Sequence, residues 1–189
     1  MTLLCLRIYL LVQTLQDSFQ NKILITGPPG CGKTTLIKNL YHKLKHLNPA
    51  GFYTEEIREN GKRTGFRITT FKGDEDILAH VNIQSKFRVS KYGVNVEGFE
   101  RVLRGIDFFN PEHEIVIIDE IGKMECFSDY FRNLVSKLFE SDKPFIATIA
   151  IRGNDFIERL KKKEMVKLYN IVKDKDKISD VIQKLSQGS

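Results

Sequence analysis

The octapeptide Gly27-Pro28-Pro29-Gly30-Cys31-Gly32-Lys33-Thr34 has the spacing G-x-x-x-x-G-K-[ST], in which a glycine-rich loop presents backbone N–H groups to phosphate oxygens. Glycine permits positive φ and a close approach of the backbone, and the helix that follows adds the positive end of its dipole. Lys33 then places a compact charge at the β- and γ-oxygens, and the Thr34 hydroxyl is a ligand for Mg²⁺. Thr35 hydrogen-bonds within the start of the helix or near the α-phosphate. Cys31 occupies a variable loop position as a small side chain and has no catalytic role. Gly27 to Thr35 form the candidate nucleotide-binding segment.

A second constellation follows the unbroken β-branched run Ile115 to Ile118, which reads as a central strand buried on both faces. Asp119, at its end, can hold Mg²⁺ through the water shell that this ion gives up reluctantly. Glu120 is expected on the other side of the strand end, where it can orient and deprotonate a water aimed at the γ-phosphorus. Hydrolysis is thereby favoured over simple binding. The candidate catalytic residues are Lys33 and Glu120, and the candidate metal ligands are Thr34 and Asp119. Lys123 and Glu125 admit two readings, a local ion pair at a helix start or groups that reach into the site from behind it.

These groups need a scaffold that brings two strand ends together. Lys22 to Thr26 reads as a buried strand, and Leu36, Ile37, Leu40, Leu44 and Leu47 fall at helical spacing until Asn48-Pro49 ends the run. Two β-rich runs flank Asn60-Gly61, so GFYTEEIRENGKRTGFRITTF reads as an antiparallel hairpin. Residues 74–96 carry turn markers and no clear period. A helix is expected over 97–109, and Phe127, Phe131, Leu134, Val135 and Leu138 mark another. Pro144 to Ile151 reads as a third buried strand, followed by a helix from the cap Asn154 to about Lys163. Met165 to Val172 and Ile178 to Leu185 complete a last strand and helix. Strands that alternate with helices indicate a parallel sheet covered by helices.

Composition bounds the rest. With 41% hydrophobic and 29% charged residues in 189, one ordinary globular domain with its own core is expected, and a disordered chain is excluded. Arg7 and then Gln13 to Gln16 interrupt the apolar stretch at the start, so no spanning helix and no membrane partner are expected. Residues 1–20 lack a basic region ahead of the apolar stretch and a small-residue cleavage site. They are read as an extension that docks on the domain, serves in association or lies upstream of it, and residues 21–189 are read as the domain. Cys5, Cys31 and Cys126 form no C-x-x-C pair, so neither a zinc site nor a disulfide framework is indicated and a reducing, cytoplasmic location is expected. Of the net charge of +6, +4 arises between residues 161 and 177, where seven lysines are accompanied by one aromatic, Tyr169. That pattern favours a solvated charged face over an RNA or DNA surface.

With these motifs placed, the chain resembles the THEP1 family of P-loop nucleoside-triphosphatases, described in animals as cancer-related nucleoside-triphosphatases. The stretches ILITGPPGCGKTTLIKNL, GFYTEEIRENGKRTGFRI, RVSKYGVNV, IVIIDEIGKME and FIATIA carry the match, across residues 22 to about 172. GFYTEEIR followed by GFRI, and DEIGKME after the strand, are more particular than the phosphate loop. The resemblance implies a three-layer αβα fold of the RecA-like, ASCE type, with a mainly parallel sheet and an inserted β-hairpin. It implies slow, Mg²⁺-dependent hydrolysis of ATP, GTP, CTP and UTP to diphosphate and phosphate, with Gly27 to Thr34 on the nucleotide and Asp119 and Glu120 as the Walker B pair. Glu55, Arg58 and Arg67 lie in the family-like hairpin and are read either as approaching the nucleotide or as solvated charges. Arg152 is read as a γ-phosphate sensor or as the cap of a strand–helix turn.

Two rival readings stay open. A P-loop nucleoside or nucleotide kinase shares the loop, and Arg152 to Arg159 could imitate its lid, but Glu120 suits a water that a kinase must exclude. A nucleic-acid-associated NTPase is motivated by the basic balance. A regulatory GTPase is disfavoured because no N-K-x-D sequence reads guanine.

Overall fold

The computed structural model describes residues 22–187, so the expected extension over 1–20 lies outside the described residues. Among the described residues, nine strands form one sheet: β1 (Lys22–Thr26), β2 (Ala50–Glu59), β3 (Lys62–Thr70), β4 (Glu75–His80), β5 (Arg88–Val89), β6 (Tyr92–Val94), β7 (Val116–Ile121), β8 (Phe145–Ile149) and β9 (Val166–Asn170). Their order is β5-β6-β4-β3-β2-β7-β8-β1-β9. The pairs β2–β7, β7–β8, β8–β1 and β1–β9 are parallel, and from β2 outward through β3, β4, β6 and β5 every pair is antiparallel. Helices α1 (Lys33–Lys43), α2 (Val96–Arg104), α3 (Asp129–Glu140), α4 (Asp155–Lys161) and α5 (Lys175–Gln187) connect and cover these strands.

The central strands read as unbroken apolar runs because both of their faces are covered. Alternate residues divide between two cores. Leu24, Val116, Ile118, Phe145, Ala147 and Ile149 pack with Phe99 of α2, Phe131 of α3 and Ile157 of α4. Ile23, Ile25, Ile117 and Ile146 pack on the other face with Ile37 and Leu40 of α1 and Ile178 of α5. At roughly 1.5–3 kcal/mol for each fully buried aliphatic or aromatic side chain, these two layers hold the sheet flat against its helices. This is the three-layer α/β architecture, mostly parallel at its core. Among the described residues, no helix is long and apolar enough to cross a membrane.

Several local outcomes differ from the sequence reading, each for a physical reason. β7 continues past Asp119 and Glu120 to Ile121, with an irregularity in its pairing to β8 between Ile118 and Ile121, so the strand outruns its apolar stretch. Residues 74–96 form β4, β5 and β6; two of these have three residues or fewer, too short to show a period of two. The inserted hairpin is therefore the first part of a larger antiparallel extension. The helix expected to reach 109 ends at Arg104, with Gly105 as its C-cap. Phe127 lies in a 3₁₀ turn ahead of α3, whose start is capped by the Ser128 hydroxyl accepting from Phe131 N. The Asn154 cap holds: its side chain accepts from Ile157 N.

β2 is the strand on which the two halves of the sheet meet. Ala50, Gly51 and Phe52 pair in parallel with Val116, Ile117 and Ile118, whereas Phe52 to Glu59 pair antiparallel with β3. Beyond Phe52 the ladder pairing with β7 ends, the Thr54 backbone hydrogen-bonds the Asp119 side chain instead, and the β2–β3 arm continues. Phe52 anchors this junction; it is fully buried, with its ring 5.9 Å from that of Phe99 and 6.2 Å from that of Phe131. Phe52→Ala is expected to lower stability by about 3–5 kcal/mol, measured by urea unfolding; a loss below about 1 kcal/mol would show that the junction does not depend on this packing.

Candidate active site

β1 is buried along its whole length and delivers the chain into the phosphate loop, after which α1 begins at Lys33. Gly30 and Gly32 have φ of 75° and 93°, a region costly for residues with a Cβ. Gly27 is required for a different reason. A Cβ there would lie 2.5 Å from Ile171 Cγ2 and 2.8 Å from Cys31 Sγ, so close packing against the end of β9 demands its absence. Cys31 is accordingly a packing neighbour of the loop.

Strand β8 lies between β1 and β7, so Asp119 is two strands away from the loop it serves. Two hydroxyls bridge the distance. Thr34 Oγ1 donates to Asp119 Oδ2 at 2.5 Å, and Thr148 Oγ1, from the intervening strand, donates to Oδ1 at 2.5 Å. Asp119 is 1% exposed and Thr148 is fully buried. Burial pushes the Asp119 carboxyl above its ordinary range, while hydrogen bonds from Thr148, Thr34 and the Thr54 backbone, with the Lys33 charge, pull it back.

Lys33 Nζ donates to the carbonyl oxygens of Gly27 at 3.1 Å and Pro28 at 3.4 Å, and lies 3.4 Å from Glu120 Oε2. Both carboxylates therefore face the phosphate loop, Asp119 through Thr34 and Glu120 through Lys33; the expectation that Glu120 lies on the other side of the strand end is corrected. An ion pair with the Lys33 ammonium keeps the second carboxylate on the side of the loop. Burial also raises the Glu120 pKa, with Lys33 opposing the shift and Asp119 adding to it.

Glu125 stands behind Glu120. It is 6% exposed, and burial, reinforced by the negative charge of Glu120 and Asp119, pushes its carboxyl up to about 8. Its Oε2 would lie 2.6 Å from a Cβ on Gly122, and Glu120 Oε1 would lie 3.3 Å from the same point, so the two carboxylates flank one glycine. No ion pair joins Glu125 to Lys123, which is exposed on the cleft wall. Of the two readings of these residues, the local ion pair is excluded among the described residues.

The open space in front of these groups is a cleft of about 1330 Å³. Pro29, Gly30, Gly32, Lys33, Thr34, Thr35 and Glu120 line it from the sequence-derived set, together with Arg58, Glu55 and Arg152. Gly27, Pro28, Cys31 and Asp119 lie behind the lining. Glu55 is ion-paired with Lys38, and Arg67 is paired with Glu75 at 3.0 Å outside the cleft, so Arg67 does not approach the loop. A smaller cavity of about 460 Å³, near Tyr41, Phe71 and His113, contains none of the predicted site residues.

Thr34 Oγ1 and Asp119 Oδ2 are hard oxygen donors within one hydrogen-bond length, a set that suits a small divalent cation which keeps most of its waters. Among the described residues no cluster of three or more His, Cys, Asp or Glu forms a cage for a metal. An arrangement of this kind can cradle a polyphosphate, bring a cation to its outer oxygens and aim a carboxylate at the terminal phosphorus.

A family model described as NTPase matches residues 22–183. The chain belongs to this NTPase family. It is 48% identical over 151 residues to the nucleoside-triphosphatase THEP1 of a Thermotoga species, covering 79% of this chain and 86% of that protein. The crystal structure of THEP1 from Aquifex aeolicus superposes with a TM-score of 0.74 at 37% identity, over 88% of this chain and 99% of that one. The solution structure of a human cancer-related nucleoside triphosphatase gives 0.71 at 32% identity, over 89% and 98%.

Within this NTPase-family site, sequence reasoning missed Thr148, Thr54, Lys38, Glu56, Arg63 and Tyr92. A threonine inside the apolar run FIATI was the available signal for Thr148. The other five lie within the stretches that carry the family resemblance, but neither residue type nor spacing marked them individually, since their contacts join α1, β2, β3 and β6.

The displaced carboxyl of Glu125 has a consequence for stability. In the unfolded chain it ionises near 4.5, and in the folded protein near 8. Its contribution is therefore fully present below about pH 4.5 and is lost as pH rises toward about 8. Thermal melts over this window are expected to show stability falling with pH, and Glu125→Gln is expected to flatten the slope; an unchanged slope in the variant would place the titration elsewhere.

Proposed function

We propose that the protein is a nucleoside-triphosphatase that releases phosphate from Mg²⁺–NTP, slowly and with little preference among ATP, GTP, CTP and UTP. The observation that carries this reading is the convergence of Thr34–Asp119 and Lys33–Glu120 on one phosphate loop, at 2.5 Å and 3.4 Å. The family and the names of the similar proteins support it.

Thr34 and Asp119 are the residues that would hold Mg²⁺, Asp119 through water. When bound, the ion would supply charge neutralisation for the phosphate oxygens. Loop N–H groups and Lys33 bind the same oxygens and offset the charge that develops on the leaving diphosphate. Phosphate oxygens compete with Glu120 for the Lys33 ammonium. Glu120, freed from that contact, accepts the proton of a water in line with the terminal phosphorus. The initial commitment of Glu120 to Lys33 supports a slow enzyme, because the base is paired until substrate separates it. Weak base selectivity is supported by the lack of an N-K-x-D sequence in 189 residues. Residues 21–189 form the catalytic unit in this reading, and the unbridged Cys31 and Cys126 support a cytoplasmic setting.

Glu120→Gln is expected to keep triphosphate binding and to lower phosphate release by about 10²-fold or more; turnover near the wild-type rate would remove Glu120 from the base role. Chelation is expected to stop phosphate release and added Mg²⁺ to restore it. ATP, GTP, CTP and UTP are expected to compete within about tenfold, a window of about 1.4 kcal/mol. A time course with ATP alone separates the kinase reading, because phosphate release without any acceptor excludes it.

A further inference from the structure

The cleft is larger and more positive than one triphosphate site requires. Its volume of about 1330 Å³ exceeds the roughly 300–1,000 Å³ of a usual small-molecule pocket. Eight Lys and Arg side chains line it against four carboxylates. Lys33 serves the phosphate loop and Lys38 is taken by Glu55. Six remain: Lys123 and Arg152 follow β7 and β8, and four lie where β2–β3 and the β5–β6 turn bring Arg58, Lys62, Arg63 and Lys91 to the same space. Among the described residues, Glu56 is the one carboxylate paired with any of these four.

Two of the four cations are held in position. Glu56 Oε2 accepts from Arg58 Nε at 2.9 Å and Nη2 at 2.5 Å, and Oε1 accepts from Arg63 Nη1 at 2.6 Å. Arg58 Nη1 donates to the Gly61 carbonyl at 3.1 Å, and Arg63 Nε donates to the Tyr92 hydroxyl at 3.0 Å. The Arg63 guanidinium also lies over the Phe66 and Tyr92 rings, 5.2 Å and 5.8 Å from their centres. A guanidinium has five N–H donors, so each arginine keeps donors uncommitted, and both side chains remain accessible at 58% and 42%. Fixed planar donors with spare valence suit a phosphoryl group, whose several oxygens accept forked hydrogen bonds.

This group of four is separate from the catalytic pair. Thr54, whose backbone hydrogen-bonds Asp119, is four residues from Arg58 on β2, about 13 Å along a strand. We propose that Arg58, Lys62, Arg63 and Lys91 form a second seat in the cleft, for a phosphate monoester such as a nucleoside monophosphate, filled while the phosphate loop holds its triphosphate. The inference goes beyond hydrolysis and does not depend on it.

The test titrates uridine 5′-monophosphate into the full chain by calorimetry, with the phosphate loop saturated by Mg²⁺ and a non-hydrolysable triphosphate analogue. One further equivalent of monophosphate is expected to bind. Arg58→Gln is expected to weaken it at least tenfold, and Lys62→Gln, on the exposed turn, severalfold; the second variant keeps the test valid if the first disturbs the arm. Inorganic phosphate in place of the nucleotide identifies the source. Equal affinity means that the seat reads the phosphoryl group alone, and weaker affinity means that the nucleoside contributes; either supports the seat. No monophosphate binding, binding unchanged in both variants, or binding of single-stranded RNA without the monophosphate overturns it. If the triphosphate analogue itself fails to bind, the hydrolase reading fails, while titration of the free protein still decides the seat.

Discussion

One buried carboxylate organises this molecule. Asp119 has almost no contact with solvent, and a charge in that position is costly unless hydrogen bonds compensate for it. Here the compensation comes from three separate elements: Thr34 on the first helix, Thr148 on the intervening strand and the Thr54 backbone on the strand that leads into the arm. Each donor is supplied by a different part of the chain, so the site exists only when all of them are in register. The same contacts that make Asp119 tolerable connect the phosphate loop to the far side of the sheet.

That register is supplied by apolar packing. The parallel alignments Ile25 with Thr148, Ile23 with Ile146, and Ile117 with Ile146 set the heights of the three strand ends relative to one another. Since a strand slipped by one residue would exchange its two faces, the division of alternate side chains between two cores holds the hydroxyl of Thr148 level with Asp119. The packing energy of the sheet and the geometry of the site are thus linked by one constraint. Glu125 lies against this framework as a further buried acid, and its elevated pKa reflects burial first, reinforced by the negative charge of Glu120 and Asp119.

The arm follows different rules. Its burial pattern passes from buried at Ala50 to exposed beyond Glu55, and β3 reverses it. Such a ribbon has little core of its own, and its shape is maintained by cross-strand ion pairs and by the Phe66–Tyr92–Arg63 stack. Asn60-Gly61 announced the turn. The continuation into β4, β5 and β6 was not legible, because strands of two or three residues are specified by the neighbours they hydrogen-bond to and leave no periodic trace. Arg67 shows the same limit at the level of one residue: it shares a strand with Arg63, yet faces Glu75 and lies outside the cleft.

By itself, the sequence determined the local chemistry: a phosphate loop between a strand and a helix, an acidic pair after an apolar run, and the alternation that makes a three-layer sheet. These are short-range properties, encoded in residue type and spacing. Only the tertiary structure decided that β8 separates β1 from β7, that Thr148 spans the gap, that Glu120 turns toward Lys33, and that three cations of the arm and Lys91 share a single cleft with the loop. Those outcomes depend on strand order and register, which arise from the packing of residues distant in the chain, and no single segment contains them.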